Sequence, residues 1–360
     1  MARRAKPYRG GGMIAIAPPL RLRLDSDALI ANWRWLAGQG GAAACGAAIK
    51  ADGYGLGARW VMERLAAAGC RDFFVATWAE AAALMPLPQG ISVSVLHGVG
   101  AADMVAARLL PARPVLNSVE QVQRWRDSGE GRPCDVMVDT GMNRLGLRVE
   151  EVMGGALDGL AIDILLSHLA SADEDCGQNA AQLASFRSLR ETIRARRYSL
   201  ANSAGICLGA DYAFDLTRPG IALYGGTPRR EAQGHIRQVV YPETRVLQLR
   251  EVRAGESVGY GATWTASTDT RVAVTNMGYA DGYLRCHAGS GGATWRGQSL
   301  PLIGRVSMDL TAFDASSTEG LREDDWLAIE YDLPTRAAAS GLSQYELLTG
   351  LGSRFGRGWT

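Results

Sequence analysis

The sequence changes from an apolar run to a glycine-rich loop within Ala47-Ala48-Ile49-Lys50-Ala51-Asp52-Gly53-Tyr54-Gly55-Leu56-Gly57. The apolar run ends at Lys50, and a helical pattern begins near Arg59 after the loop. A short apolar run followed by glycines is typical of a buried strand that ends in a turn. The stretch therefore predicts that Lys50 lies at the C-terminal end of a buried strand.

Lysine is rare in this chain. Of its 38 Lys and Arg residues, two are lysines, Lys6 and Lys50. A lysine amine can lose its proton when it is desolvated and can form an imine, whereas a guanidinium stays charged. An ordinary lysine buries its stem and exposes its ammonium, but the position and rarity of Lys50 favour a nucleophile.

Composition limits the classes of function. The chain has 360 residues and a net charge of +1, so no overall charge attracts nucleic acid or an anionic membrane. Its six cysteines form no C-x-x-C pair and show no metal-ligand spacing with the four histidines. These observations predict a globular cytoplasmic protein without a structural metal site, in a reducing compartment.

The first two thirds of the chain repeat a unit of strand, loop and amphipathic helix. Eight candidate strands are residues 45–49, 73–76, 91–96, 114–116, 135–138, 162–167, 198–201 and 220–224, and the helices between them include 59–68, 79–85, 101–110, 119–127 and 182–196. Eight alternating units predict a closed parallel (β/α)8 barrel of the TIM type. A doubly wound sheet is the alternative, and the first strand lacks the G-x-G-x-x-G that would favour it.

Beyond about His235 the pattern becomes rich in β-strands. Alternating runs occupy residues 244–249, 271–276, 300–303, 310–314 and 326–330. The predicted organisation is a tail (1–19), a barrel (20–236) and a mostly β C-terminal domain (237–360). A further strand at 20–24 can belong to either sheet.

In such a barrel, the catalytic and binding residues lie at the C-terminal ends of the strands. The residues at these ends include Lys50, Tyr54, Arg144, His168, Ser203, Arg218, Gly220 and Ile221. A lysine among hydroxyls, arginines and main-chain amides suits an aldehyde cofactor with a phosphate, and pyridoxal phosphate fits. Lys50 would take the aldehyde, the phosphate would meet Tyr54, Ser203 and the Gly220 and Ile221 amides, and an arginine would remain for a substrate carboxylate.

Eight motifs in this chain resemble those of alanine racemases, which are fold-type-III pyridoxal phosphate enzymes. They are 49–57 (IKADGYGLG), 138–146 (VDTGMNRLG), 167–174 (SHLASADE), 201–204 (ANSA), 218–225 (RPGIALYG), 259–263 (GYGAT), 278–283 (GYADGY) and 304–309 (GRVSMD). Their order is that of the family, and they extend across both predicted domains.

The resemblance implies racemisation of L-alanine and D-alanine by two acid/base groups, Lys50 and Tyr260, on opposite faces of a planar intermediate. It implies a head-to-tail homodimer in which Tyr260 reaches the partner's site. His168 would link Tyr260 toward Arg218, which would face the pyridine nitrogen.

The resemblance also implies roles in substrate binding. Arg144 and the Met308 amide would hold the substrate carboxylate, and Asp173, Arg285 and Arg305 would line the entryway. The activity would supply D-alanine for peptidoglycan or serve L-alanine catabolism.

Two positions depart from the family pattern. Met137 stands where many members have a carbamylated lysine that orients the substrate arginine. Ser353 aligns with a tyrosine beside the phosphate, which suggests a roomier site and relaxed specificity, for example toward serine.

Other functions remain open on the sequence alone. A racemase of another amino acid is the nearest alternative, and a noncatalytic pyridoxal phosphate carrier would need neither Tyr260 nor a β domain. A fold-type-III decarboxylase should carry a glycine-rich phosphate loop, and a cofactor-free Schiff-base aldolase would leave Ser203 and Arg218 without a role.

Overall fold

The computed structural model describes residues 17–360. The predicted tail therefore lies outside the described residues, apart from residues 17–19. Strand β1 (Leu20–Leu24) is the first element, and the alternation of leucine with arginine buries all three leucines. β1 pairs with strands that follow the barrel in the sequence, so it belongs to the β-domain sheet.

The parallel strands of the barrel contain the short apolar runs of the sequence. They are β2 (Ala44–Cys45), β3 (Ala47–Ala48), β4 (Asp72–Val75), β5 (Ser92–Val95), β6 (Arg113–Leu116), β7 (Cys134–Asp139), β9 (Ile162–Leu166), β10 (Arg197–Ser199) and β11 (Leu216–Thr217), with a short β8 (Leu147–Arg148) beside β7. β2 and β3 form one strand position interrupted at Gly46. A Cβ at Gly46 would lie 2.8 Å from the carbonyl oxygen of Asp72, so this close approach requires glycine.

The barrel is closed between its last and first strands. β11 pairs in parallel with β2, and main-chain hydrogen bonds from Asp215 N to Tyr198 O and from Arg218 N to Ala201 O join it to the β10 segment. The remaining strands pair in the order β3-β4-β5-β6-β7-β9-β10. The predicted barrel is thus confirmed.

The predicted position of the eighth strand, residues 220–224, is wrong. Residues 220–224 contain a 3-10 helix, Ile221–Tyr224, and the strand is β11, which precedes Pro219. A short apolar run does not distinguish a strand from a buried turn of helix. The consequence is that Arg218, Gly220 and Ile221 follow the strand and lie at the barrel mouth.

Helices cover the outside of the barrel. They are α1 (Ser26–Gln39), α3 (Ala58–Ala68), α4 (Trp78–Ala83), α5 (Met104–Leu109), α6 (Val119–Ser128), α7 (Val149–Met153), α8 (Gly177–Thr192) and α9 (Ser203–Cys207), with a short turn α2 (Lys50–Tyr54). The helix predicted at 182–196 instead begins at Gly177 and ends at Thr192, because Ile193 is extended with φ −99° and ψ 122°. No helix within residues 17–360 is long and apolar enough to cross a membrane.

The C-terminal domain is a second, mainly antiparallel sheet. Its strands are β12 (Val240–Val252), β15 (Thr270–Thr275), β16 (Gly292–Trp295), β17 (Gln298–Ile303), β18 (Thr311–Asp314), β19 (Trp326–Ile329) and β20 (Phe355–Trp359), with the hairpin β13 (Ser257–Val258) and β14 (Trp264–Thr265) and the helices α10 (Leu333–Ser340) and α11 (Gln344–Thr349). The strand order is β15-β18-β17-β16-β19-β12-β1-β20, and β12 also pairs with β15. The predicted β-rich domain is confirmed, and β13, β14, β16 and β20 are additions to the predicted strands.

Candidate active site

A cavity of about 820 Å³ opens at the C-terminal ends of the barrel strands. Eight sequence-predicted residues line it: Lys50, Tyr54, Arg144, His168, Ser203, Arg218, Gly220 and Ile221. They come from five separate loops along the chain. Because parallel strands end at the same rim of the barrel, residues that are distant in sequence meet here.

The chain after Lys50 makes a left-handed turn. Ala51, Asp52 and Tyr54 have φ values of 53°, 52° and 56°. A left-handed conformation costs a non-glycine residue about 1–2 kcal/mol, so surrounding contacts must hold the turn. One of these contacts is the Asp52 carboxylate, which accepts a hydrogen bond of 2.8 Å from Ala58 N at the start of α3.

Glu80 also holds this turn, and sequence reasoning missed it. Its two carboxylate oxygens accept hydrogen bonds from Ala51 N at 2.8 Å and from Ala76 N at 2.7 Å. Glu80 thus joins the Lys50 turn to the end of β4. The available signal was Thr77-x-x-Glu80, a capping box at the start of α4.

Three influences set the charge on Lys50. The Lys50 side chain is open to the cavity, and desolvation of its ammonium by the surrounding walls lowers its pKa; the nearby Arg144 lowers it further, and Glu80 acts in the opposite direction. The net direction is downward, which increases the fraction of free amine at neutral pH. This is the condition that a lysine nucleophile requires.

Arg218 is buried beneath the cavity. Its guanidinium donates to Ser167 O at 2.5 Å and to the Ser199 hydroxyl. Burial lowers the pKa of Arg218 to about 10, so it still carries its charge at neutral pH. Burial, followed by the charge of Arg218, lowers the pKa of His168 to about 3, and this histidine is therefore a neutral imidazole.

A group of amides and hydroxyls forms another wall of the cavity. Ser203 Oγ accepts hydrogen bonds from Gly220 N at 2.8 Å and from Ala222 N at 3.3 Å. A Cβ at Gly220 would lie 2.2 Å from the Tyr54 hydroxyl, so glycine is needed for this approach. Within residues 17–360, the main-chain N–H of Ile221 has no hydrogen-bond partner. Such clustered donors suit an anion.

The loop that carries Arg144 is organised by Asp139. The Asp139 carboxylate accepts main-chain hydrogen bonds from Gly141 and Met142 at 2.8 Å and from Arg144 at 3.2 Å. The carboxylate therefore shapes the loop through its amides. Met137 is buried in the cavity wall, with 6% of its surface exposed.

The C-terminal segment contributes two residues that the sequence did not predict. Tyr345 and Thr349, both on α11, line the cavity, and the rings of Tyr345 and Tyr54 lie 6.5 Å apart. Ser353, which we expected in the place of the family tyrosine, is exposed and is not among the lining residues, so its position gives no support for the roomier site that we expected. Only tertiary packing brings α11 to the mouth, so no local signal marks Tyr345.

Four predicted site residues lie away from this cavity, on the β domain. We call Tyr260, Arg285, Arg305 and Met308 the Tyr260 patch. Tyr260 and Met308 are 66% and 54% exposed. Arg305 Nη1 lies 3.2 Å from the place of a Cβ on Gly261, and Arg285 Nε donates to Val306 O at 3.4 Å.

Asp173 lies on the barrel side of the molecule. It is exposed and follows His168 on the same loop. It is close enough to Tyr345 to add to the effect of burial, which raises the pKa of that tyrosine. The structure thus places the entryway candidates on two separate surfaces of one chain.

A parallel barrel with a lysine at its mouth, followed by an antiparallel β domain, defines a class of two-domain lysine-bearing barrel enzymes. The sequence matches the family models "Alanine racemase, N-terminal domain" over residues 24–228 and "Alanine racemase, C-terminal domain" over residues 239–359. The chain belongs to the alanine racemase family.

Curated relatives agree with this assignment. An alanine racemase of Acidiphilium cryptum is 39% identical and covers 93% of this chain and 97% of its own length. Two proteins of Agrobacterium fabrum, one named biosynthetic and one catabolic, are 40% and 41% identical over 94% of this chain and 93% and 91% of their own lengths. Similarity is therefore nearly equal to both named types.

Solved structures show the same fold. An alanine racemase of Bartonella henselae "with covalently bound pyridoxal phosphate" is 33% identical, with a TM-score of 0.87 and coverage of 95% of this chain and 99% of that one. The biosynthetic alanine racemase of Pseudomonas aeruginosa is 32% identical, with a TM-score of 0.86 and coverage of 96% and 100%.

Proposed function

We propose that this protein is a pyridoxal phosphate-dependent enzyme that interconverts L-alanine and D-alanine. The observation that carries the proposal is the cavity at the barrel mouth. It combines Lys50, whose pKa is lowered, with a wall of hydroxyls and main-chain amides that includes the Ile221 N–H. Family membership supplies the substrate class.

The cavity residues fit pyridoxal phosphate. Lys50 would take the aldehyde, and Tyr54, Ser203 and the amides of Gly220 and Ile221 would hold the phosphate. Gly220 leaves space for the Tyr54 hydroxyl that a Cβ would fill. Arg218 would face the ring nitrogen, and because arginine keeps its proton, it would leave that nitrogen unprotonated. When bound, the cofactor holds the amino acid covalently and stabilises the negative charge left at Cα.

Racemisation removes a proton from one face of Cα and returns one to the other face. We assign these transfers to Lys50 and Tyr260. Tyr260 is 66% exposed on the β domain and is not among the cavity-lining residues. This position supports a head-to-tail homodimer in which the Tyr260 patch completes the partner's cavity. His168, a neutral imidazole, would then hydrogen-bond between Tyr260 and Arg218.

The substrate carboxylate needs cationic or N–H partners. Arg144 extends from its Asp139-organised loop into the cavity, and Met308 would supply a main-chain N–H from the Tyr260 patch of the partner. Asp173, Arg285 and Arg305 would line the path by which the amino acid enters.

The compartment and the domain boundaries are also proposals. All six cysteines are free thiols, which supports a reducing cytoplasm. The division into 20–236 and 237–360 places β1 with the barrel in sequence, although β1 pairs with β12 and β20. The activity would supply D-alanine for peptidoglycan or serve alanine catabolism.

The test is an absorbance spectrum of the purified protein, together with a D-amino-acid oxidase-coupled assay on L-alanine. The wild type should show a band near ~420 nm from lysine-bound cofactor and should form D-alanine. Lys50→Ala should lose both, whereas Lys6→Ala, which removes the other lysine, should keep both. A colourless wild type that stays inactive with added pyridoxal phosphate would refute the proposal.

A further inference from the structure

Arg354 joins the loop that contains Met308 to the neighbouring 3-10 helix Tyr279–Asp281, and it has no role in the proposed chemistry. We infer that Arg354 is a positioning residue that fixes the direction of the Met308 N–H, and this inference rests on the proposed function. Arg354 precedes β20, far in sequence from Met308, and its guanidinium donates three hydrogen bonds to carboxylates.

The contact between Arg354 and Asp281 is bidentate. Arg354 Nε donates to Asp281 Oδ1 at 2.6 Å, and Arg354 Nη2 donates to Asp281 Oδ2 at 2.8 Å. The Asp281 side chain is completely buried. A buried carboxylate is costly without a partner, so this pair fixes the guanidinium firmly.

The remaining nitrogen of Arg354 reaches the residue after Met308. Arg354 Nη1 donates to Asp309 Oδ1 at 2.7 Å. One guanidinium therefore holds both the 3-10 helix Tyr279–Asp281 and the loop that contains Met308. Asp281 also accepts a hydrogen bond from Gly278 N at 3.0 Å, so the same carboxylate shapes the start of that helix.

The Tyr279–Asp281 helix in turn orients two peptide groups. Tyr279 N donates to Ser307 O at 2.9 Å, and Ala280 N donates to Met308 O at 3.0 Å. Ser307 C=O and Met308 N–H belong to one planar trans peptide, so they point in opposite directions. Fixing the carbonyl toward Tyr279 turns the Met308 N–H away from the helix. Within residues 17–360 that N–H has no hydrogen-bond partner.

The two segments also touch directly. A Cβ at Gly278 would lie 2.3 Å from Met308 O, closer than any ordinary contact. Because no side chain separates the segments, a shift of the helix moves the Met308 peptide. Arg354 thus acts through Asp281 and Asp309 on the amide that receives the substrate carboxylate.

The experiment compares Arg354→Gln with the wild-type holoenzyme. The KM for L-alanine should rise about tenfold, the usual cost of one hydrogen bond to a charged group, while kcat should change less than about threefold. Amide hydrogen exchange of residues 304–310 should become about tenfold faster. The absorbance of bound cofactor should not change, because Arg354 is not among the cavity-lining residues.

Arg245→Gln is the matched control, because Arg245 is an arginine of the same domain paired with Asp324 at 3.5 Å and is similarly exposed. Arg245→Gln should leave the KM for L-alanine and the amide hydrogen exchange of residues 304–310 unchanged. If Arg354→Gln fails to fold, Asp309→Asn, which leaves the buried pair intact, should raise KM about threefold. Unchanged amide hydrogen exchange at residues 304–310 would overturn the inference. So would a kcat that falls by the same factor by which KM rises. An inactive wild type would refute the proposed function, and hydrogen exchange would still test the positioning role.

Discussion

Two neighbours of opposite charge act on the Lys50 ammonium. Arg144 lowers its pKa, and Glu80 raises it, while burial has the largest effect. The free amine is the reactive form. The charge state of one side chain is therefore adjustable in both directions by residues that do not react.

We predict opposite shifts for two variants. Glu80→Gln should lower the pKa of Lys50 further, so the apoenzyme should attach added pyridoxal phosphate at lower pH than the wild type does. Arg144→Gln should raise the pKa of Lys50 and shift attachment to higher pH. The measurement is the pH dependence of the rate at which the ~420 nm band appears. Glu63→Gln, which removes an exposed charge on α3, is the control. Shifts in the same direction would contradict this account.

Residues at strand ends were predictable because the barrel brings them together. Lys50, His168 and Ser203 each follow an apolar run, and all three line the cavity. The sequence did not predict Glu80, Tyr345 or Arg354, because their roles depend on contacts between elements that local sequence does not specify. Arg354, for example, meets Asp281 where the chain before β20 packs on the 3-10 helix Tyr279–Asp281, and Gly352 N donates to Asp281 O at 3.1 Å.

At the scale of one element, the 3-10 helix Arg285–His287 contains a histidine without polar partners. His287 is fully buried, and its ring stacks on Tyr283 at 4.6 Å. Within residues 17–360, neither ring nitrogen has a hydrogen-bond partner. Burial, and then the charge of Arg336, lower the pKa of His287 to about 4.

We predict that His287→Phe will increase the free energy of unfolding at pH 7.5 by about 1–3 kcal/mol, because the variant removes unsatisfied buried nitrogens and keeps the stack. In the wild type, the pKa of His287 is lower in the folded state than in the unfolded state. The stability from neutral His287 is therefore present above about pH 6.5 and is lost as the pH falls toward 4.

The free energy of unfolding of His287→Phe should not include this loss on acidification. Urea unfolding at pH 7.5 and pH 5 measures both effects, and His168 titrates in the same direction in both proteins. His235→Phe, on an exposed ring stacked on Trp35, is the control. A variant that loses as much stability as the wild type on acidification would disprove the assignment.

Elements differ in how well the sequence predicts them. Runs with clear alternation, such as β1 and β12, were predictable from their period. β16 and β20 contain glycines that interrupt the alternation, and β11 has only two residues. These strands exist because neighbouring strands supply their hydrogen bonds, which is a property of the whole sheet.

At the scale of the whole molecule, the proposed head-to-tail dimer would join the cavity of one subunit to the Tyr260 patch of its partner. We predict that the Lys50→Ala and Tyr260→Phe variants are each inactive alone. When the two variants are unfolded, mixed in equal amounts and refolded together, about a quarter of wild-type activity should return. Half of the random dimers are hybrids, and in each hybrid one site receives an intact Lys50 and an intact Tyr260. The D-alanine assay measures the recovery.

The control mixture combines Lys50→Ala with Arg144→Gln, two changes on the barrel side. Every site formed from these subunits has a damaged barrel, so mixing should restore no more activity than Arg144→Gln has alone. Equal recovery in both mixtures, or none in the first, would contradict a site shared between subunits.

The scarcity of lysine has a consequence for proteolysis. Within residues 17–360, Lys50–Ala51 is the single peptide bond that a lysine-specific protease can cut. That bond lies in a left-handed turn inside the cavity, whereas proteases bind extended chains. Lys50, Ala51 and Asp52 are exposed, so cleavage there requires the left-handed turn to unwind into an extended chain, and a cofactor attached to the lysine would remove the recognition point. The rate of this single cleavage therefore reports both the unwinding of the turn after Lys50 and the occupancy of the lysine by cofactor.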